Sequence, residues 1–201
     1  PQPELIAVSK TFPAADVREL YAAGQRHFGE NYLQEFADKA AELADLAELQ
    51  WHVIGHIQSN KSRLAAEHAA WVHTIDREKI ARRLSEQRPP QLPPLQVLIE
   101  VNIGGEAGKH GIAPEEAVLQ PLAFQVAALP NLRLRGLMCV AKTGSDARGL
   151  RQQFERMGEL LADLQAQGLA VDVLSMGMSA DLAEAVACGA THVRIGSAIF
   201  G

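Results

Sequence analysis

Eight short apolar runs alternate along the chain with seven longer amphipathic stretches, and no other feature of the sequence restricts its fold as much. The runs occupy residues 5–9, 27–30, 51–55, 71–75, 95–103, 132–140, 171–175 and 192–195. The LQVLIEVNI run at 95–103 is almost continuous in Val, Leu and Ile, as in a strand covered on both faces of a parallel sheet. Between the runs, helical periodicity predicts helices over 16–23, 32–46, 61–68, 78–87, 114–129, 150–165 and 181–187. In 150–165 the residues Phe154, Met157, Leu160, Leu161 and Leu164 form one stripe. Pro121 predicts a kink or split in 114–129. Alternating β and α units imply a parallel sheet of the α/β class. Eight units favour a closed (β/α)8 TIM barrel. The short second run keeps an open doubly wound sheet as the alternative. The proline-rich segment 88–94 is within the length of an ordinary connection. With no composition break, residues 1–201 are expected to form a single domain.

Composition removes several classes of function. A chain of 201 residues, 47% of them hydrophobic, can bury a core without staples. A net charge of −5 opposes non-specific nucleic-acid binding, which needs a basic face. No run of 18 apolar residues predicts a membrane span, and no signal segment opens the chain. The two cysteines, Cys139 and Cys188, form no CxxC pair, so neither a disulfide scaffold nor a zinc ribbon is expected. No HxH or HExxH spacing occurs, and no metal site is expected. These features predict a cytoplasmic protein, and with no apolar seam demanding a dimer, a monomer. The first residue is Pro1 rather than Met, which suggests trimming.

A barrel carries its chemistry at the C-terminal ends of its strands. Lys10 follows the first run. Desolvation there, with Arg194 across the mouth, would lower its pKa toward that of a Schiff-base nucleophile; a solvated surface lysine is the alternative. SMGMS at 175–179 and RIGS at 194–197 are small-residue turns after runs seven and eight, where barrels often bind phosphate. Two tight turns with an N-cap serine would read the same way. Asp181 counts against a bound anion there unless its carboxylate points away. Lysine and phosphate cradle together suit a phosphorylated carbonyl compound, either pyridoxal phosphate or a sugar phosphate in an aldolase. Arg194 could face a pyridine nitrogen or pair with Glu30 or Glu100. His56, at a strand end, is a site candidate, whereas His52, His68, His73 and His192 read as core or surface residues.

The chain also resembles a known family. The segments AVSK (7–10), FGENYLQE (28–35), WHVIGHIQSNK (51–61), HTID (73–76), RGLMCV (135–140), LSMGMS (174–179) and VRIGSAIFG (193–201) are together similar to the pyridoxal-phosphate homeostasis proteins. That family is related to the barrel half of alanine racemase. The resemblance implies a fold-type III barrel holding pyridoxal 5'-phosphate as a Schiff base on Lys10. It implies that Ser175, Ser179, Gly196 and Ser197 surround the phosphate, with Met176 and Gly177 in the same turn. Arg194 would face the pyridine nitrogen and Asn31 would lie beside the ring. It implies a role in vitamin B6 homeostasis without an established turnover, with pyridoxal-phosphate-dependent apo-enzymes as acceptors. A helix usual before the first strand and residues usual after IFG are missing, so the chain is expected to be trimmed at both ends. The loop KTGSDARG departs locally from the family form. The competing functions are a pyridoxal-phosphate-dependent amino-acid racemase and a Schiff-base aldolase. A racemase needs acid–base groups on both faces of the substrate carbon, and the only tyrosines are Tyr21 and Tyr32.

Overall fold

Residues 2–201 are described by the computed structural model, in which eight parallel strands close on themselves in chain order. They are β1 (Glu4–Val8), β2 (His27–Glu30), β3 (Gln50–Val53), β4 (Trp71–Ile75), β5 (Leu95–Glu100), β6 (Leu132–Met138), β7 (Val173–Ser175) and β8 (His192–Ile195). The ladder between β1 and β8 (Glu4↔His192 through Ala7↔Ile195) closes the ring and removes the open-sheet alternative. Helices α1 (Ala14–Ala22), α2 (Leu33–Glu42), α3 (Ser62–His68), α4 (Glu78–Gln87), α5 (Glu116–Ala127), α6 (Ala147–Ala166) and α7 (Leu182–Ala187) follow the first seven strands. A single turn, α8 (Ser197–Phe200), follows β8. The fold is a TIM barrel.

Alternation along each strand sorts the side chains into two cores. Val53, Val72, Val97, Leu137, Leu174 and Val193 pack outward with Phe36, Phe154 and Leu160 of the surrounding helices. Trp71, Leu98, Met138 and Val173 form a separate apolar cluster. They share strand parity with the buried polar residues His52, His73, Ser175 and Arg194. The barrel's axis is therefore filled by an apolar layer and a polar one, and the polar layer is where the site begins.

Pro121 does not split its helix, one of the two outcomes expected from sequence: α5 runs unbroken through it. Pro121 and Ala117, whose carbonyl loses its helical donor, are both exposed, so water can take the missing hydrogen bond. Gly136 has a clear structural reason. A Cβ built there would lie 1.9 Å from the Val173 carbonyl oxygen, where β6 and β7 approach closely beside a register shift between β5 and β6. Gly136→Ala must push the β6–β7 ladder apart. The expected cost is about 3 kcal/mol, the upper end for overpacking, read as a lower urea midpoint with unchanged slope.

Candidate functional site

The last two strands and the first build one continuous stretch of the barrel rim. The Met176 N–H donates to the His192 carbonyl (3.1 Å) and the Arg194 N–H to the Gly177 carbonyl (2.9 Å), so the SMGMS turn runs beside the end of β8. Gly177 has φ +109°, and a Cβ there would meet that of Ala185 at 2.8 Å, so glycine is needed for the turn to lie against α7. Gly196 packs against β1, its would-be Cβ 3.1 Å from the Val8 carbonyl. Lys10 stands exposed two residues beyond β1. The Phe12 ring stacks on Phe200 of α8 with centroids 5.2 Å apart, tying the Lys10 turn to the 197–200 turn. Ser179, Gly196 with Ser197, and Lys10 thus follow one another around the rim. Neighbouring strands are about 4.8 Å apart, so these three positions lie within two strand spacings of one another. The Asp181 carboxylate is folded back, its Oδ1 accepting from the Met178 N–H at 2.7 Å. It caps its own turn.

Two further residues of the SMGMS segment face elsewhere. The Met176 side chain is fully buried in the outer core. The Ser175 hydroxyl, on a strand position with inward parity, points into the barrel. There it accepts from Arg194 Nη1 (2.5 Å) and lies 2.9 Å from His73 Nδ1. Arg194 is buried and pairs with neither Glu30 nor Glu100; its other bond is from Nη2 to the Cys139 carbonyl (2.9 Å).

From Ser175 a file of side chains crosses the barrel. His73 Nε2 lies 2.8 Å from His52 Nδ1, His52 Nε2 lies 2.9 Å from His27 Nδ1, and His27 Nε2 lies 3.3 Å from the Glu4 carboxylate. The two ends fix its polarity. A guanidinium can only donate and a carboxylate can only accept. The consistent arrangement has the Ser175 O–H donating to His73 Nδ1, and each neutral imidazole donating from Nε2 to the next. Burial holds both His52 and His73 well below the ordinary imidazole pKa, with neighbouring histidines adding to the effect at His52 and Arg194 at His73. The neutral forms that this polarity needs are therefore the stable ones. Sequence alone reads His52 and His73 as core or surface residues and does not show their connection. The signal was parity, since His52, His73 and Ser175 all occupy inward positions.

A second network lies beneath Lys10. Lys39, on α2, is buried, and its Nζ donates to the Ser9 carbonyl (2.8 Å), Glu30 Oε2 (2.9 Å) and Glu35 Oε2 (2.7 Å). The Ser9 hydroxyl also donates to Glu30 Oε2, and the Thr11 N–H donates to Glu35 Oε2 (2.6 Å). Thr11 has φ +67°, a strained value for a β-branched residue. The network thus grips Ser9 and Thr11, the residues on either side of Lys10. All three hydrogens of the Lys39 ammonium are engaged inside the protein, whereas Lys10 is exposed.

Next along the rim, the Asn31 carbonyl comes so close to Gly55 that a Cβ would lie 2.1 Å away. The Asn31 Oδ1 is buried without a hydrogen-bond partner. A cavity of about 380 Å³ opens here, lined by Asn31, Tyr32, Gly55, His56, Gln58 and Lys61 among others. Glu100 is pushed up to about 7, chiefly by burial and then by Asp76, while Arg194 opposes the shift. Burial drives the Cys139 thiol up to about 12, so it is no nucleophile.

A closed parallel barrel with a lysine and two glycine–serine turns following its strands, and a buried arginine without a carboxylate partner, is the frame in which the chain's family relationship can be set. Residues 1–201 match the family described as alanine racemase, N-terminal domain. An alanine racemase from Clostridium difficile superposes with a TM-score of 0.77 at 15% identity, over 99% of this chain and 52% of that one, a likeness of fold alone. Within that class, the pyridoxal phosphate homeostasis protein of Pseudomonas aeruginosa is 59% identical over 98% of this chain and 83% of its own length. The structure of PipY from Synechococcus elongatus with pyridoxal phosphate bound gives a TM-score of 0.91 at 42% identity, covering 100% of this chain and 93% of that one. The chain belongs to the pyridoxal phosphate homeostasis protein family. No helix among the described residues is long and apolar enough to cross a membrane.

Proposed function

We propose that this chain binds pyridoxal 5'-phosphate covalently through Lys10 and serves in the homeostasis of that cofactor in the cytoplasm, passing it to apo-enzymes without turning over a substrate of its own. The observation that carries the reading is the rim itself, where β7, β8 and β1 bring the Ser179 turn, the Gly196–Ser197 turn and the Lys10 amine into succession. The cofactor supplies an aldehyde that condenses with amines, a pyridine ring and a phosphate.

The residues present fit each part. Ser179, Ser197 and the backbone around Gly177 and Gly196 offer hydroxyls and N–H groups to the phosphate. Buried Arg194 has no carboxylate partner and suits a neutral acceptor such as the pyridine nitrogen. The unsatisfied Oδ1 of Asn31 supports a polar contact beside the ring. Ser175 and Met176 act from behind this surface: Ser175 orients Arg194, and Met176 anchors its turn in the core.

The alternative enzymatic reading is a racemase. Tyr21 lies away from the mouth, its hydroxyl accepting from the Glu48 N–H, so only Tyr32 at the 380 Å³ cavity could supply a second proton carrier. Tyr32 is exposed and no side chain holds it in place within the described hydrogen bonds, which supports the carrier role.

Borohydride treatment of the loaded protein, followed by peptide mass spectrometry, is expected to place the reduced adduct on Lys10. Lys10→Ala should lose both the adduct and the visible band, and should no longer restore an apo-enzyme's activity. An adduct on Lys39, Lys61 or Lys142 in the wild type would overturn the assignment. Exchange of alanine's α-hydrogen in deuterated water with loss of chirality would replace the carrier with the racemase.

A further inference from the structure

Across the mouth from the cofactor rim, the loops after β3, β4 and β5 bring together three side chains of a different chemistry. His56 follows β3, Asp76 directly follows β4, and His110 lies in the loop between β5 and α5. One ligand atom from each lies within 4.8 Å of the others. We propose that His56, Asp76 and His110 form a binding site for a divalent transition-metal ion, with Zn²⁺ the best match to the donor set.

Two imidazoles and one carboxylate are a borderline donor set. They suit Zn²⁺, Ni²⁺ or Co²⁺ better than Ca²⁺ or Mg²⁺, which take oxygen ligands. Bond lengths near 2.0–2.1 Å put two ligand atoms on a tetrahedral ion about 3.3 Å apart. The cluster therefore needs to contract by no more than about 1.5 Å.

The parts of the site differ in how firmly they are held. Asp76 is fixed by its neighbours: Oδ1 accepts from Arg77 Nη1 (2.9 Å) and Oδ2 from the Gly111 N–H (3.3 Å). Ligating carboxylates are ordinarily oriented by such outer partners, and each oxygen keeps a lone pair for the ion. The Nδ1 of His56 is buried and has no hydrogen-bond partner. An imidazole nitrogen left unsatisfied is costly, and a metal would satisfy it. The His56 and His110 rings now lie face to face, centroids 3.7 Å apart and 9° from parallel. One ring must tilt for both to direct a nitrogen at a common point. His110 can do so because it is exposed and flanked by Gly108 (φ +80°) and Gly111 (φ +106°). A three-residue ligand set leaves at least one position for water or an anion. His56 also lines the 380 Å³ cavity that contains Asn31, which gives the ion a route in.

The site was hidden from motif reading because each ligand comes from a different loop, so no fixed spacing announces it. It does not depend on the cofactor assignment.

The test is calorimetric titration of tag-free, cofactor-loaded protein with Zn²⁺, paired with titration by Co²⁺ followed through its visible d–d bands. One equivalent of Zn²⁺ should bind with a micromolar or lower dissociation constant, and Co²⁺ should develop bands that Zn²⁺ removes. Losing a ligand should cost more than losing an outer-shell partner, so His110→Ala should weaken binding at least about 100-fold. Because His110 is exposed on a loop, this variant should keep its fold and its cofactor band. Asp76→Asn should lose the Co²⁺ bands as well. Equal Zn²⁺ affinity in wild type and His110→Ala would overturn the proposal, and so would the absence of any Zn²⁺ heat or Co²⁺ bands in the wild type.

Discussion

Lys39→Met is expected to lower folding free energy by about 3–5 kcal/mol, the usual result of removing one partner from a buried ion pair. Lys39 makes three hydrogen bonds inside the protein, and without it the fully buried Glu30 keeps only the Ser9 hydroxyl. Glu30 is already held above the ordinary carboxylate range, chiefly by burial, with Ser9 and Lys39 pulling the other way. Removing Lys39 takes away one of the opposing influences and pushes Glu30 further up. A carboxyl whose folded pKa exceeds its unfolded value gives most stability when protonated and loses it as pH rises through the folded pKa. The deficit of Lys39→Met relative to wild type should therefore be largest near pH 8 and shrink toward pH 5. The double variant Lys39→Met/Glu30→Gln should recover much of the loss, since no buried charge remains. Urea unfolding of the three proteins at pH 8 and pH 6 measures all of this. A deficit under about 1 kcal/mol, typical of exposed pairs, or one independent of pH, would show that the network does not hold the turn. The same variant should take up cofactor more slowly, because Ser9 and Thr11 on either side of Lys10 lose their common anchor.

This network also shows what could be read in the sequence and what could not. The alternation of runs was enough for the barrel, because strand parity and helical stripes are local properties that closure preserves. β2, β4, α4 and β8 begin and end where periodicity put them. Strand ends were placed too late at β5 and β6, whose ladders stop at Glu100 and Met138 while apolar residues continue into the rim. Lys39 was legible in principle. It lies three residues from Phe36 on the buried stripe of α2, and a lysine there requires a partner. Glu30, ending β2, was that partner, but pairing across elements is a tertiary fact. Strand parity likewise sends the Ser175 hydroxyl inward, although the motif alone grouped it with Ser179. The turn glycines, the strand-end lysine and the buried arginine could be read because each is a local exception to its surroundings. The histidine file and the His56–Asp76–His110 cluster are harder to read, because parity marks only some members of the file and strand-end position only His56, and what joins them to the rest is tertiary.

The histidine file sets the protein's response to acid. His52 and His73 are held well below the usual imidazole range by burial, and His192 is lowered to about 4, again mainly by burial. His27 shifts the same way for the same reason. A histidine whose folded pKa is depressed binds its proton in the unfolded chain first, so its contribution is intact above about pH 6.5 and falls as pH drops. Glu30 and Glu100, both raised by burial, act oppositely. They take up protons in the folded state before the unfolded chain does, so acidification stabilises the fold through them, over the range from about 7 to 4.5 for Glu100 and in the same direction for Glu30. The two carboxyls offset part of the effect of the four lowered histidines down to roughly pH 4.5, so stability falls there less steeply than the histidines alone would make it. Below that point both carboxyls are protonated in either state and no longer oppose the histidines. With His192 titrating as well, His52 and His73 alone then give a slope of about 3 kcal/mol per pH unit. The expected result is a loss of stability that begins near pH 6.5 and continues to acid unfolding below about pH 4.5. His52→Gln should reduce the slope by about one proton's worth, near 1.4 kcal/mol per pH unit, throughout the range below about pH 6.5. Urea midpoints across the pH range, combined with potentiometric proton uptake on unfolding, give the slope directly. Fewer than about one proton taken up on unfolding below pH 4.5 would mean that the buried imidazoles are already charged in the folded protein, and that the direction assigned to the Arg194–Glu4 hydrogen-bond file is wrong.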